Sequence, residues 1–252
     1  MLSEDALRRA LEAVGLTAPV RWDEVTDSTN ATALAMAAAG APEWTLVAAG
    51  HQTAGRGREG RTWVDRPGAA LMCSLVLRPS LTPDRLGLMS LAAGVAMAEA
   101  ASGASDRSVR CKWPNDLLVG ESKVGGILGE AEIIEGRIRH VVVGVGVNLD
   151  APEGVEGAGA IGDVEEEALL TGFLKRFRSL VEGSLEEIPD RWRAVSHTLG
   201  RTIEGTTVDG SSVRGMAVDL DDTGALLIDT EEPGGRVRVA FGEIQHLGVD
   251  QG

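Results

Sequence analysis

Residues 124–149 constrain the fold more than any other stretch. VGGILGEAEII (124–134) and RIRHVVVGVGVNL (137–149) flank the pair Glu135-Gly136. Two extended segments joined by such a pair read as a β-hairpin. Strands this long need further partners to bury their apolar faces, so the chain is committed to a sheet that is at least partly antiparallel. AALMCSLVLRP (69–79) supplies another long apolar strand, stopped by Pro79. Shorter strand signals lie at 21–25, 44–52 and 109–113, the last cut off by Pro114.

Helical patterns alternate with these strands. Residues 3–14 form an amphipathic segment with Ser3 as N-cap, Glu4 and Asp5 in the first turn, and Gly15 as the stop. Asp27-Ser28-Thr29-Asn30 opens an Ala-rich helix that runs to Ala39 and Gly40. Leu, Met and Ala repeat helically over 84–101, and 164–199 reads as two helices with a break near Pro189. Residues 150–167 carry acids and no base, as expected of a solvated loop entering a helix. The fold class is α+β, with a central mixed, mainly antiparallel sheet and flanking helices.

The texture changes at Gly200. TIEGTTV, SSVRGMAVDL, ALLIDT and RVRVAF are short alternating segments separated by Gly and Asp turns. They predict a small β-barrel of about 50 residues. The expected division is 1–199 and 200–252.

Composition excludes several roles. The net charge of -14 argues against a generalised nucleic-acid surface, because that affinity rests on Lys and Arg neutralising phosphates. The charge is uneven, however. Arg56, Arg58, Arg61 and Arg66 crowd into 51–66 against Glu59 and Asp65, which suits a small anionic ligand. Cys73 and Cys111 lack metal-site spacing and read as small buried apolar residues. The acidic N-terminus is not a signal peptide, and no apolar run is read as spanning a bilayer. The expected location is cytoplasmic. Monomer and homodimer are both open.

Four segments carry chemistry-bearing residues. In His51-Gln52-Thr53-Ala54-Gly55-Arg56-Gly57-Arg58-Glu59-Gly60-Arg61-Thr62-Trp63, glycines permit close backbone approach and arginine forks suit carboxylate and phosphate. Trp63 offers a flat face for stacking. The run is neither a P-loop nor a Rossmann turn, and a flexible solvated loop is the bland alternative. Lys112-Trp113-Pro114-Asn115-Asp116 precedes Lys123 and Gly125-Gly126. Its lysines can reach an anion and Asp116 can take a proton, or the segment is a strand, a turn and a solvated Lys. Ser28-Thr29-Asn30 is an N-cap or a ligand contact. Asn148, closing VVVGVGVNL, is a turn former or a ligand contact.

These segments, in this order, resemble the signature of the biotin protein ligases over most of 22–150. The resemblance implies the ligase fold with an SH3-like C-terminal barrel. It implies that biotin and ATP form biotinyl-5'-AMP, and that a carrier lysine then takes the biotinyl group. The carrier it implies is the biotin carboxyl carrier domain of an acyl-CoA carboxylase. It places Arg58, Lys112, Asp116 and Lys123 in catalysis. Biotin falls to Ser28, Thr29, Asn30, Gln52, Gly55, Arg56, Gly57, Arg58, Lys123, Gly125 and Gly126. ATP falls to Arg58, Arg61, Trp63, Lys112, Asn115 and Asn148. Triphosphate chemistry implies Mg²⁺ held mainly by phosphates, and no carboxylate cluster offers a dedicated metal cage. The Gly/Arg loop is expected to move when empty and to order over the adenylate. Bifunctional relatives place a winged helix-turn-helix first. Only about twenty residues precede the first strand here, too few for a three-helix DNA reader, so neither nucleic-acid nor membrane binding is expected. The nearest rival is a lipoate or octanoate ligase or transferase of the same fold. A non-catalytic biotin sensor is the second.

Overall fold

The computed structural model describes residues 2–207, 210–230, 235–240 and 242–246. Helix α1 (Glu4–Ala13) is capped by Ser3, whose side chain accepts from the Ala6 N–H. Gly15 follows at φ +73, the left-handed stop that glycine adopts freely. Strand β1 (Val20–Asp23) leads to α2 (Thr29–Ala38), capped by Ser28 through the Ala31 N–H. Then come β2 (Leu46–Ala49), β3 (Ala70–Leu77), α3 (Gly87–Ala104) and β4 (Val109–Lys112). The expected hairpin is β6 (Ser122–Ile134) and β7 (Arg137–Asn148), turning at Glu135-Gly136 with both φ angles positive. The sequence reading missed β5 (Asp116–Val119). Only four residues long, it is held by partners on both sides rather than by its own pattern.

The seven strands form one sheet in the order β1-β2-β3-β7-β6-β5-β4. Only β1 and β2 pair in parallel, so the sheet is mixed and mainly antiparallel as expected. The period-2 alternation of strands gives its two faces different fates. Leu71, Cys73, Leu75 and Leu77 of β3 and Val141, Val143, Val145 and Val147 of β7 join the main core. The residues between them face the other way. Val76 and Val142 pack there with Ala33 and Ala37 of α2, and Met72, Ser74, Gly144 and Gly146 continue the same rows.

Helix α3 is apolar all round and buried on nearly every side, between the sheet and helices α4 (Glu166–Glu182) and α5 (Ile188–Val195). Residues 83–104 are in fact long and apolar enough to cross a membrane, contrary to the sequence reading. Two thirds of its 18-residue apolar window is buried, as in a core helix. The break between α4 and α5 falls at Gly183 to Glu187. Pro189 sits inside the first turn of α5, where its missing N–H costs nothing. The acidic segment is a largely exposed loop entering α4, as expected, and it is tied down at two points. Gly157 and Gly159 bond the Lys123 backbone, and Ile161 is buried.

Strands β8 (Thr202–Thr207), β9 (Ser212–Leu220), β10 (Leu226–Thr230), β11 (Arg236–Val239) and β12 (Gly242–His246) form the second sheet. Its order is β11-β10-β9-β8-β12, antiparallel throughout. Among the described residues β11 and β12 do not pair. The expected small antiparallel β unit is present, and over these residues it is not closed into a barrel. Val208 and Phe241, which end two of the expected strands, lie outside the described residues.

Both cysteines are buried and free, and burial alone pushes the Cys73 thiol up to about 12. Burial, with Glu99 nearby, raises Cys111 as well. Neither should react with Ellman's reagent at about pH 8 in the native state, and both should react on denaturation. Rapid native labelling would contradict this packing.

Candidate active site

The face of the sheet opposite α3 carries a cavity of about 360 Å³, the size of a small-molecule site. Its floor follows from the alternation just described. Met72 pairs with Gly146, and Ser74 with Gly144. Gly126 and Leu128 of β6 continue the same two rows. Glycine is required at two of these positions. A Cβ on Gly144 would stand 2.0 Å from Asn30 Oδ1, and one on Gly146 would stand 2.8 Å from the Trp63 ring. The glycines thus let one α2 side chain and one loop side chain lie directly on the sheet.

The polar wall grows from the start of α2. Gln52 Oε1 accepts from the Thr29 N–H (2.7 Å) and hydroxyl (3.1 Å), while Gln52 Nε2 points to Met72 Sδ (3.3 Å). Asn30 is buried, donating through Nδ2 to Leu128 O (3.2 Å) and Glu130 Oε2 (2.8 Å). Ser74 donates to Asn30 Oδ1 at 2.6 Å and lies 2.9 Å from Thr29 Oγ1.

The Gly/Arg run is not shapeless. It folds back as a narrow ribbon, with Trp63 N bonded to Gly55 O and Gly57 N to Arg61 O. A single turn at Arg58–Gly60 caps it, with Glu59 at φ +55. Asp65, fully buried at its side chain, ties the two stems together through Gln52 N (3.4 Å) and His51 Nδ1 (2.9 Å). Arg58 reaches back from the turn to Asn115 Oδ1 (3.4 Å). Burial lowers its pKa from the usual guanidinium value, yet Arg stays charged at neutral pH. Asn115 is fixed in turn, donating to Ile127 O at 3.0 Å.

At the far end, Lys112 and Asp116 face each other across the β4–β5 pairing. Lys123 Nζ lies 2.5 Å from Asp116 Oδ1. The lining brings together Arg56, Arg58, Arg61, Lys112 and Lys123 with one carboxylate, Asp116. Five cations around one space suit a ligand with several negative oxygens.

Most sequence-named residues line the cavity: Ser28, Thr29, Asn30, Gln52, Arg56, Gly57, Arg58, Arg61, Trp63, Lys112, Asn115, Asp116, Lys123 and Gly126. Three do not. Gly55 packs behind Trp63, and Gly125 packs against Gly146 O and Leu117. Asn148 is buried and donates to Gly159 O (3.0 Å), so it anchors the acidic segment. Met72 and Ser74 were missed, although their alternation with Leu71, Cys73 and Leu75 marks them as one face. Asp65 had no sequence signal beyond a lone acid.

Comparison with known proteins agrees with this geometry. Residues 22–148 match the Biotin/lipoate A/B protein ligase family, and 198–247 match the Biotin protein ligase C terminal domain. The chain is 32% identical over 246 residues to the bifunctional ligase/repressor BirA of Bacillus spizizenii, covering 92% of this chain and 75% of that protein. The chain belongs to the biotin protein ligase family. It is also 35% identical over 238 residues to the biotin--[acetyl-CoA-carboxylase] ligase of Paracoccus denitrificans, covering 87% of this chain and 97% of that one. The biotin protein ligase from Aquifex aeolicus in complex with biotin and ATP shares the fold, with TM-score 0.73 and 23% identity over 91% of this chain and 99% of that one.

The Gly144 contact makes a specific claim about this ligase-family cavity. Gly144→Ala should push Asn30 off the sheet, lower stability by about 1–3 kcal/mol and weaken ligand binding in the cavity. A denaturant midpoint and biotin affinity both equal to wild type would contradict it.

Proposed function

We propose that this cavity joins biotin to ATP, and that the residues lining it divide the work as follows. The observation that carries the reading is the convergence of five cations on a cavity whose other wall is a neutral polar array. The neutral wall of Ser28, Thr29, Asn30 and Gln52 suits the donors and acceptors of a ureido ring. Apolar floor residues suit the thioether ring and acyl chain. The cationic end suits carboxylate and phosphates.

Biotin plus ATP gives biotinyl-5'-AMP and pyrophosphate. A carboxylate oxygen bonds to the α-phosphorus as the α–β bridging bond breaks. Both partners are anionic, and fixed cations offset their repulsion and the charge that develops. Lys123 leaves Asp116 for the carboxylate and the adjoining phosphoryl oxygen. Arg58, spaced by Asn115, holds phosphate, with Lys112 and Arg61 beside it. Trp63 borders the adenine. In the second step the carrier amine attacks the acyl carbon, and AMP leaves. Asp116, freed from Lys123, takes the amine's proton. Gly55 and Gly125 act behind the cavity by close packing, and Asn148 by its hydrogen bond to Gly159 O.

Mg²⁺ would accompany the triphosphate and neutralise part of its charge. Among the described residues no three His, Cys, Asp or Glu side chains converge, so phosphate oxygens and water would hold it. Residues 1–199 form the catalytic unit and 200–252 the second. Biotin protein ligases act on biotin carboxyl carrier proteins. The carrier here is the biotin carboxyl carrier domain of an acyl-CoA carboxylase, and the setting is the cytoplasm. A homodimer is compatible with this arrangement. The charge of -14 opposes duplex DNA, so no salt-sensitive mobility shift should occur with the purified protein.

The deciding experiment is pyrophosphate release without carrier. Biotin should trigger a burst of about one equivalent in the wild type, lost in Lys123→Ala by about a hundredfold or more in rate. Release with lipoate or octanoate but not biotin would move the activity to that neighbouring class. No release with any acid would refute the reading.

A further inference from the structure

Glu130 stands outside the cavity, on the same strand row as Val142, yet it touches both halves of the cavity's enclosure. One carboxylate oxygen, Oε2, accepts from Asn30 Nδ2 at 2.8 Å. The other, Oε1, lies 3.6 Å from Arg56 Nη1 on the loop. Glu130 also lines the cleft behind the loop, with residues 54–62 on one side and Leu128 and Gly129 on the other.

From Asn30 the polar contacts run inward without a break. An amide oxygen only accepts, so the single Ser74 hydrogen goes to Asn30 Oδ1. The Thr29 hydroxyl lies 2.9 Å from Ser74 Oγ and donates to Gln52 Oε1 at 3.1 Å. Asn30 has both amide hydrogens engaged, on Leu128 O and Glu130, and it cannot sink because Gly144 lies directly beneath it. Its amide plane is therefore held jointly by Leu128 O, Ser74 and Glu130, and of these three Glu130 is the one that also faces Arg56 of the loop.

We propose that Glu130 is a positioning residue for the ligation reaction, coupling the Arg56 end of the loop to the Asn30–Ser74–Thr29–Gln52 wall. Its charge holds Arg56 and so the resting place of the loop. Its acceptor oxygen orients the wall that meets the neutral part of the substrate. The exposed Arg56 pair adds little to global stability, and its effect is on where the loop lies. This inference rests on the ligase reading for its kinetic consequences and on geometry alone for the loop.

Two variants separate the two roles. Glu130→Gln keeps an acceptor for Asn30 and removes the charge facing Arg56. Glu130→Ala removes both. In the ligand-free protein, amide exchange over residues 53–62 should quicken in both variants by about fivefold, the loss of one weak pair. With biotin and ATP, bound adenylate should escape faster in both by a similar factor. The KM for biotin should stay within about twofold of wild type in Glu130→Gln and rise about fivefold or more in Glu130→Ala. Circular dichroism confirms the fold of each variant. Should Glu130→Ala not fold, the exchange and escape rates of Glu130→Gln still decide.

Unchanged exchange in Glu130→Gln overturns the coupling. Equal rises in biotin KM for both variants overturn the division between its oxygens. A wild type that forms no adenylate defeats the ligase reading instead, and the exchange arm then judges the coupling by itself.

Discussion

The pairing of β3 with β7 decides the rest of the molecule. In this register Met72 meets Gly146, Ser74 meets Gly144 and Val76 meets Val142. A slip of one residue would turn the core-facing Leu71, Leu75, Val143 and Val145 onto the cavity side. With the register fixed, one face takes α3 and becomes the core. The other face is closed by α2 at the Val76–Val142 end and left open at the glycine end. The site thus lies where the sheet carries too little side chain to fill its own second layer. Asn30 and Trp63 descend onto that thin floor because glycine permits them.

The charges depend on the same frame. Lys112, Asp116 and Lys123 come from three neighbouring strands, brought side by side by the β4–β5 and β5–β6 pairings. Lys123 is further pinned through its backbone by Gly157 and Gly159. In the ligand-free protein Asp116 offsets Lys123, while Glu130 faces Arg56 and Asn115 meets Arg58. Three of the five cations are therefore held by polar, replaceable partners. An arriving polyanion needs only to exchange those partners, which costs less than desolvating five free cations or refolding a loop.

Much of this was legible in the chain. Ser3 and Ser28 announce two helices through one physical requirement, the orphan N–H groups of the first turn. The β6–β7 hairpin follows from its apolar segments and its two-residue turn. The site segments stood out because Arg, Gly and Lys are concentrated where an acidic chain has no structural need for them. What escaped the sequence depends on tertiary partners. Strand β5 is too short to carry a pattern, and its identity comes from β4 and β6. The hydrogen bond from Asn148 to Gly159 O joins residues eleven apart, and nothing local in the sequence announces it. Residues 83–104 have the composition of a membrane span, and only the layers around them show a core helix. Alternation reports the strands of the second unit and not whether its two edge strands meet, which among the described residues they do not.

The second sheet is joined to the site by a residue that also lines it. Trp113 sits at the end of β4, against the cavity, and is almost wholly buried. Its backbone N–H donates to Thr198 Oγ1 at 2.9 Å, and its indole N–H donates to Gly224 O at 3.1 Å. Gly224 lies in the turn between β9 and β10, and the room its missing Cβ leaves is taken by Leu91 of α3. A buried indole donor has to find a partner, and this one finds it in the other sheet. Arg193 of α5 adds a second tie, to Asp219 Oδ1 (2.6 Å) and Leu220 O (2.8 Å) of β9. Displacing the second sheet would therefore strip Trp113 of a hydrogen bond and expose α3 at Leu91. The wall of the cavity and the seating of that sheet are one packing problem, which is why the chain has to solve the two together.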